Sequence, residues 1–209
     1  MALSDVINYF FSLLVVCSPL SALPALLNLC YGKSEEEKKK IAVKASIAVA
    51  IILVIVTWIG LILLNIFGIR IPAFQIAGGF VLALVAISML NGRPNRIQQS
   101  KEDEAEAINK ASIAIVPLAM PIMAGPGAIT TVIVGASIWT GPVDHLYMSF
   151  CAILVALTTG SVLYFAGSIE RVLKSTGIHL VTRIGGLILA SMAVQSIANG
   201  IHGLLQLYK

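Results

Sequence analysis

Apolar residues in this chain gather into long blocks instead of helical stripes or alternating strands: Leu3 to Tyr31, Ile41 to Phe67, Pro72 to Leu90, Ala111 to Trp139, Val143 to Ser168 and Ile178 to Leu207. Each is near or above the roughly 20 residues that an α-helix needs to cross a hydrocarbon core about 30 Å thick. The pattern predicts an all-α membrane protein of six transmembrane helices. A mean hydropathy of +0.94 and a charged fraction of 11% agree, because so few charges could not cover the surface of a soluble protein of 209 residues. The first block has no basic stretch before it, carries Asp5 and offers no small-x-small cleavage site, so it reads as a retained helix.

Polar residues interrupt the pattern most strongly between Asn91 and Lys110, where Gly92, Pro94 and the run Lys101-Glu102-Asp103-Glu104-Ala105-Glu106 read as a solvated linker. The chain thus divides into a first three-helix repeat at 1–92, a charged cytoplasmic linker at 93–110 and a second three-helix repeat at 111–209. Ile76-Ala77-Gly78-Gly79-Phe80-Val81-Leu82-Ala83 resembles Arg183-Ile184-Gly185-Gly186-Leu187-Ile188-Leu189-Ala190 at an offset of 107 residues. Pro19-Leu20-Ser21-Ala22-Leu23-Pro24 resembles Pro121-Ile122-Met123-Ala124-Gly125-Pro126 at an offset of 102. An odd number of spans per repeat inverts the second copy in the bilayer, an architecture that recurs in secondary transporters.

Proline inside a helix removes a hydrogen bond and clashes with the preceding turn. Pro19 and Pro24 should therefore break helix one, and Pro117, Pro121 and Pro126, with Gly125 and Gly127, should break helix four. Unpaired backbone at membrane depth survives only where protein or a watery cavity covers it. The predicted cavity has half-helix N-termini suited to a carboxylate and half-helix C-termini whose carbonyls suit an ammonium group or a cation. A small zwitterionic solute fits both. The candidate substrate-binding residues are Ser18, Pro19, Ser21, Ala22, Ala124, Gly125, Gly127, Ala128 and Thr130, with Thr131 nearby; Gln75 and Arg183 are candidate gate or ion contacts. Kinked, closely packed helices are the competing explanation for the same prolines and glycines.

Charge sets the orientation. Of 14 lysines and arginines, all but Arg70 and Lys209 fall on one side of the predicted spans, so the loops near 32–40, 91–110 and 169–177 are expected in the cytoplasm and both termini outside. The net charge of +4 is thereby explained without nucleic acid. Every carboxylate lies at a span end or in a loop, which disfavours a buried proton relay and favours Na+ as coupling ion, with H+ as the alternative, or uncoupled transport. Cys17, Cys30 and Cys151 have neither disulfide nor zinc spacing, so no metal or other cofactor is expected. No GxSxG, HExxH or mid-membrane pair of aspartates is present, and an enzyme is not expected.

Phe74-Gln75-Ile76-Ala77-Gly78-Gly79, the segment from Pro117 to Ile129 (PLAMPIMAGPGAI) and Thr182-Arg183-Ile184-Gly185-Gly186-Leu187 resemble signature segments of the MarC family, which looks related to the LysE-type exporters. The resemblance covers essentially the whole chain. It implies a six-helix prokaryotic inner-membrane protein and transport of small neutral amino acids such as glycine and alanine. Where that family's first helix usually has Asn-Pro, this chain has Ser18-Pro19. Together these readings predict a secondary transporter working by alternating access, with the lipid bilayer as its other partner and a homo-oligomer left open. The alternatives are a drug or metabolite efflux protein and a non-transporting assembly subunit.

Overall fold

The computed structural model describes residues 1–19, 22–23, 26–27, 30, 33–91 and 114–207, and among them all regular structure is helical. Seven helices are described: α1 (Leu3–Cys17), α2 (Glu35–Ile66), α3 (Ile71–Asn91), α4 (Ala114–Met123), α5 (Pro126–Ile138), α6 (Pro142–Tyr164) and α7 (Ala166–Leu207). Four stretches are long and apolar enough to cross a membrane, namely Glu35–Ile66, Ile71–Asn91, Pro142–Tyr164 and Gly177–Gln206. Leu3–Cys17 and Pro126–Ile138 are shorter apolar helices. The predicted linker at 93–110 lies outside the described residues.

Two boundaries depart from the apolar blocks. α2 begins six residues ahead of Ile41 and winds through Lys38, Lys39 and Lys40, because Ser34 caps it. The Ser34 hydroxyl accepts from the Glu37 N–H at 3.3 Å, and the Glu37 carboxylate accepts from the Ser34 N–H at 2.9 Å. The stretch 169–177, expected as a loop, is wound into α7. It contains no proline, and polarity alone does not stop a helix.

Packing is arranged for lipid outside and small residues within. On α2, Val43, Ile47, Ile51, Ile55 and Ile62 face outward, whereas Ala42, Ala45, Ser46, Val49, Leu53 and Gly60 are buried. Close approach of backbones, rather than large interlocking side chains, brings such helices together. Buried hydroxyls bond mostly to carbonyls: Ser46 Oγ donates to the Ala156 carbonyl at 2.6 Å, joining α2 to α6, and Thr159 Oγ1 donates to the Val155 carbonyl at 2.7 Å.

Contacts fix the helix directions. Met1 and Val6 meet Asp144 and Cys151, so α1 runs parallel to α6. Ser46 meets Gly160 while Trp58 bonds Ser149, so α2 and α6 are antiparallel. α3 and α7 form an extensive antiparallel pair in which Pro72 lies by Gly200 and Met89 by Gly186. Met1, Trp139 and Asp144 thus share one end of the bundle. Glu35 and Gly167 approach one another at the lysine-rich end.

Candidate functional site

Helix one stops where proline demands it. A residue preceding proline is disfavoured in the right-handed helical region, and Ser18 adopts φ 42° and ψ 66° before Pro19. Among the described residues it is the one non-glycine with positive φ. That conformation costs an L-residue roughly 1–2 kcal/mol. The Ser18 N–H is held by the carbonyls of Leu14 and Val15 at 3.0 and 3.1 Å, which terminates α1. Ala22 is buried, and its N–H reaches the Ser18 carbonyl at 3.3 Å. Ser21 and Pro24 lie outside the described residues.

Helix four breaks at Ala124–Gly125. Pro121 cannot donate to the carbonyl four residues earlier, and the whole of α4 takes the wider winding in which each N–H reaches five residues back. The Ala124 N–H continues that winding to the Ala119 carbonyl at 2.8 Å. Gly125 is then extended, with φ −75° and ψ 179°, and Pro126 opens α5 at the first helical position, where its missing N–H removes no bond. The N–H groups of Gly127 and Ala128 belong to the first turn of α5, and a first turn has no carbonyls of its own helix to bond.

The two breaks adjoin. A Cβ placed on Gly127 would lie 3.4 Å from Val16 Cγ1 on the last turn of α1 and 2.6 Å from Leu82 Cδ2 on α3. Between them is a cavity of about 10 Å³ lined by Val16, Leu82, Val85, Gly125, Gly127 and Ala128. That is room for about one water molecule. Of the predicted residues, Gly125, Gly127 and Ala128 line this space, and Ala124 is buried next to it.

Other predicted residues have different surroundings. The Thr130 hydroxyl donates to the Pro126 carbonyl at 2.9 Å, and its methyl group fills the space left by Gly78, where a Cβ would lie 1.9 Å from Thr130 Cγ2. Thr131 likewise donates to the Gly127 carbonyl at 3.0 Å. Gln75 belongs to the α3–α7 pair, its backbone carbonyl accepting from Ser196 Oγ at 3.0 Å. Arg183 is exposed on α7.

Sequence reasoning passed over Tyr9. It is 4% exposed, and among the described residues its hydroxyl is the one buried side-chain polar atom without a hydrogen-bond partner. Leaving such a group unpaired costs about 1–3 kcal/mol. Nothing in the sequence sets Tyr9 apart from Tyr31 of the same apolar block, and the signal lies in the packing around its hydroxyl.

Over residues 3–205 the chain matches the MarC family of integral membrane proteins. It is 36% identical over 201 residues to a UPF0056 membrane protein of Aquifex aeolicus, covering 96% of this chain and 94% of that one. To the UPF0056 membrane protein YhcE of Escherichia coli it is 36% identical over 198 residues, covering 94% and 92% of the two chains. With the UPF0056 membrane protein YvbG of Bacillus subtilis it shares 33% identity over 205 residues, covering 98% and 97%. No solved structure matches. A family match across almost the entire chain and relatives of nearly the same length agree with the apolar helices: this protein belongs to the MarC family of integral membrane proteins.

Proposed function

We propose that the protein is a secondary transporter of small neutral amino acids, glycine- or alanine-like, and that it works by alternating access. The observation that carries this reading is the meeting of the two helix breaks at one small cavity. First-turn N–H groups of Gly127 and Ala128 suit a carboxylate, and the carbonyls that end α1 and α4 suit an ammonium group. Glycine and alanine at the lining leave room for a short side chain and exclude a bulky one. With space for about one water, the form described is closed around its site, as one state of an alternating-access cycle must be.

The arrangement as two inverted three-helix repeats is part of the same proposal, and reciprocal contacts support it. Gly79 packs on the Ala193 carbonyl, where a Cβ would lie 3.0 Å away; Gly186 packs on the Ala86 carbonyl, at 3.2 Å. The shift of 107 residues converts Gly79 into Gly186 and Ala86 into Ala193, so each contact is the other viewed along a two-fold axis. The lysine-rich end is then cytoplasmic, with Met1 and Trp139 toward the outside of a prokaryotic inner membrane. Sodium is the preferred coupling ion and no resident cofactor takes part.

Uptake of labelled glycine and alanine into proteoliposomes, with sodium and proton gradients imposed separately, tests the reading. Saturable uptake driven by one gradient and abolished by Gly127→Leu is expected. No uptake under either gradient, from protein shown to be folded, overturns it and leaves efflux or an assembly role.

A further inference from the structure

The seam between α1 and α5 continues past the cavity. Val16 meets Gly127 at the break, and two turns back along α1, about 10 Å at 1.5 Å per residue, Tyr9 occupies the same seam against Gly135. A Cβ on Gly135 would lie 2.9 Å from the Tyr9 ring and 3.1 Å from Met148 Cε, so glycine at this position is what admits the ring. Trp139 caps the far end of α5 and closes on Tyr9 edge-to-face, with centroids 5.8 Å apart and planes at 81°. The two rings therefore stand in line between the helix breaks and the end of the bundle that carries Met1 and Asp144.

Three features separate this pair from ordinary core packing. An aromatic ring sits where the helices would otherwise leave a glycine-lined gap. Among the described residues its hydroxyl is buried with no partner, while buried Ser46, Thr57, Thr130, Ser149 and Thr159 all have one. The group lies on the line of contact that leads to the cavity. A phenolic O–H offers a donor, and in apolar surroundings the acceptor that rewards it most is an ionised oxygen, through a charge-assisted hydrogen bond.

We propose that Tyr9 and Trp139 form the outer gate of the path to the helix breaks, and that the Tyr9 hydroxyl receives the carboxylate of the entering solute. The proposal rests on the transport reading above. In the closed form the rings block the seam and the hydroxyl has no partner among the described residues. A carboxylate bonded to it on entry removes that penalty and passes on to the N–H groups of Gly127 and Ala128, after which the rings close behind the solute.

Cys17, buried at the end of α1, supplies a reporter that needs no solute. With Cys30 and Cys151 replaced by serine, a membrane-impermeant maleimide is added to the outside of right-side-out vesicles and labelling of Cys17 is followed. Trp139→Ala, which opens the gate from the outer side, and Gly135→Ala, which displaces the Tyr9 ring, are each expected to raise the labelling rate about tenfold. An unchanged rate in both variants overturns the gate. In the second arm, Tyr9→Phe keeps the ring and removes the donor. Its KM for labelled glycine is expected to rise about tenfold with kcat within about twofold, the size of a lost hydrogen bond to a charged group. Unchanged kinetics overturn the hydroxyl contact. If unmodified protein takes up no amino acid, the transport reading and the carboxylate contact fall together, and the labelling result alone decides the gate.

Discussion

Two helix seams in this protein use glycine for opposite purposes. Between α3 and α7, Gly79, Gly186 and Gly200 let backbones approach until a Cβ would stand 2.7 to 3.2 Å from the opposing carbonyls. Between α1 and α5, Gly127 borders a gap and Gly135 admits an aromatic ring. The first seam is filled, and its contacts of Gly79 with Ala193 and of Gly186 with Ala86 are reciprocal. Among the described residues the second concentrates the irregularities: a left-handed Ser18, an interrupted helix four and a buried hydroxyl without a partner. Strain of this kind persists where the surrounding structure holds it in place, and it clusters at working sites. On the proposed transport reading, the first seam is scaffold and the second is path.

The largest effect should come from breaking the scaffold. Leucine at Gly79 or at Gly186 must push against backbone carbonyls, which cannot rotate away as a side-chain tip can. Overpacking costs about 1–3 kcal/mol where the core can adjust, and occasionally more. Each substitution is therefore expected at or beyond the upper end of that range, read as a fall in unfolding midpoint and loss of a monodisperse peak in detergent. The proposed two-fold makes a stricter demand, that Gly79→Leu and Gly186→Leu respond alike. A large loss from one and none from the other would break the symmetry argument while leaving both seams intact.

Gly127→Leu should sharpen the contrast from the other side. The nearest obstacle to a Cβ there is the end of the flexible Leu82 side chain. The fold should adjust, and the unfolding midpoint should move less than half as far as for Gly79→Leu. Uptake should nevertheless fall below about a tenth of the unmodified rate, because the added side chain occupies a cavity that holds about one water. Equal damage to stability from both substitutions would mean that the second seam is only packing.

Features carried by backbone chemistry were legible in the sequence. Proline dictates a missing donor wherever it stands, so the breaks near Pro19 and Pro126 could be read directly, whereas Pro117 and Pro121, expected to break helix four as well, are wound into α4 by its wider turns. The Gly78-Gly79 and Gly185-Gly186 match pointed to a repeat because a shared packing geometry needs the same small residues. Boundaries set by capping were less legible, and the Ser34–Glu37 pair carried α2 through a basic stretch that looks like a loop when hydropathy alone is followed. Thr130 shows the limit for side chains. Spacing put it near the break, but only the fold shows that its methyl fills the space left by Gly78. Tyr9 was missed because the significance of a tyrosine depends on whether its hydroxyl finds a partner, and that is decided by helices distant in sequence.

A cap at the bundle rim belongs to neither seam and offers a calibration. Ser34→Ala removes the hydroxyl that accepts from Glu37 and donates to its carboxylate at 3.0 Å. Loss of such a cap typically costs about 1 kcal/mol. For a chain of this length a midpoint lower by about 2–4 °C is expected, with uptake unchanged. A loss of uptake equal to that of Gly127→Leu would show that function follows global stability, and the distinction between the seams would collapse.

The smallest expected effect has the opposite sign. Ser18 holds a left-handed conformation that asparagine adopts more readily than serine, because its short amide bonds locally to the backbone. Ser18→Asn should recover a fraction of the roughly 1–2 kcal/mol stored there and raise the unfolding midpoint by about 1–3 °C. Glycine at the same position removes the steric penalty altogether and removes the polar side chain with it. Comparing the two separates backbone from side chain. If the bend alone matters, both variants transport at the unmodified rate. If the strain helps helix one to change shape between states, both slow turnover while binding solute normally. If the side chain contributes a contact, glycine alone weakens binding, and the path between α1 and α5 then includes residue 18 as well as the lining of the cavity.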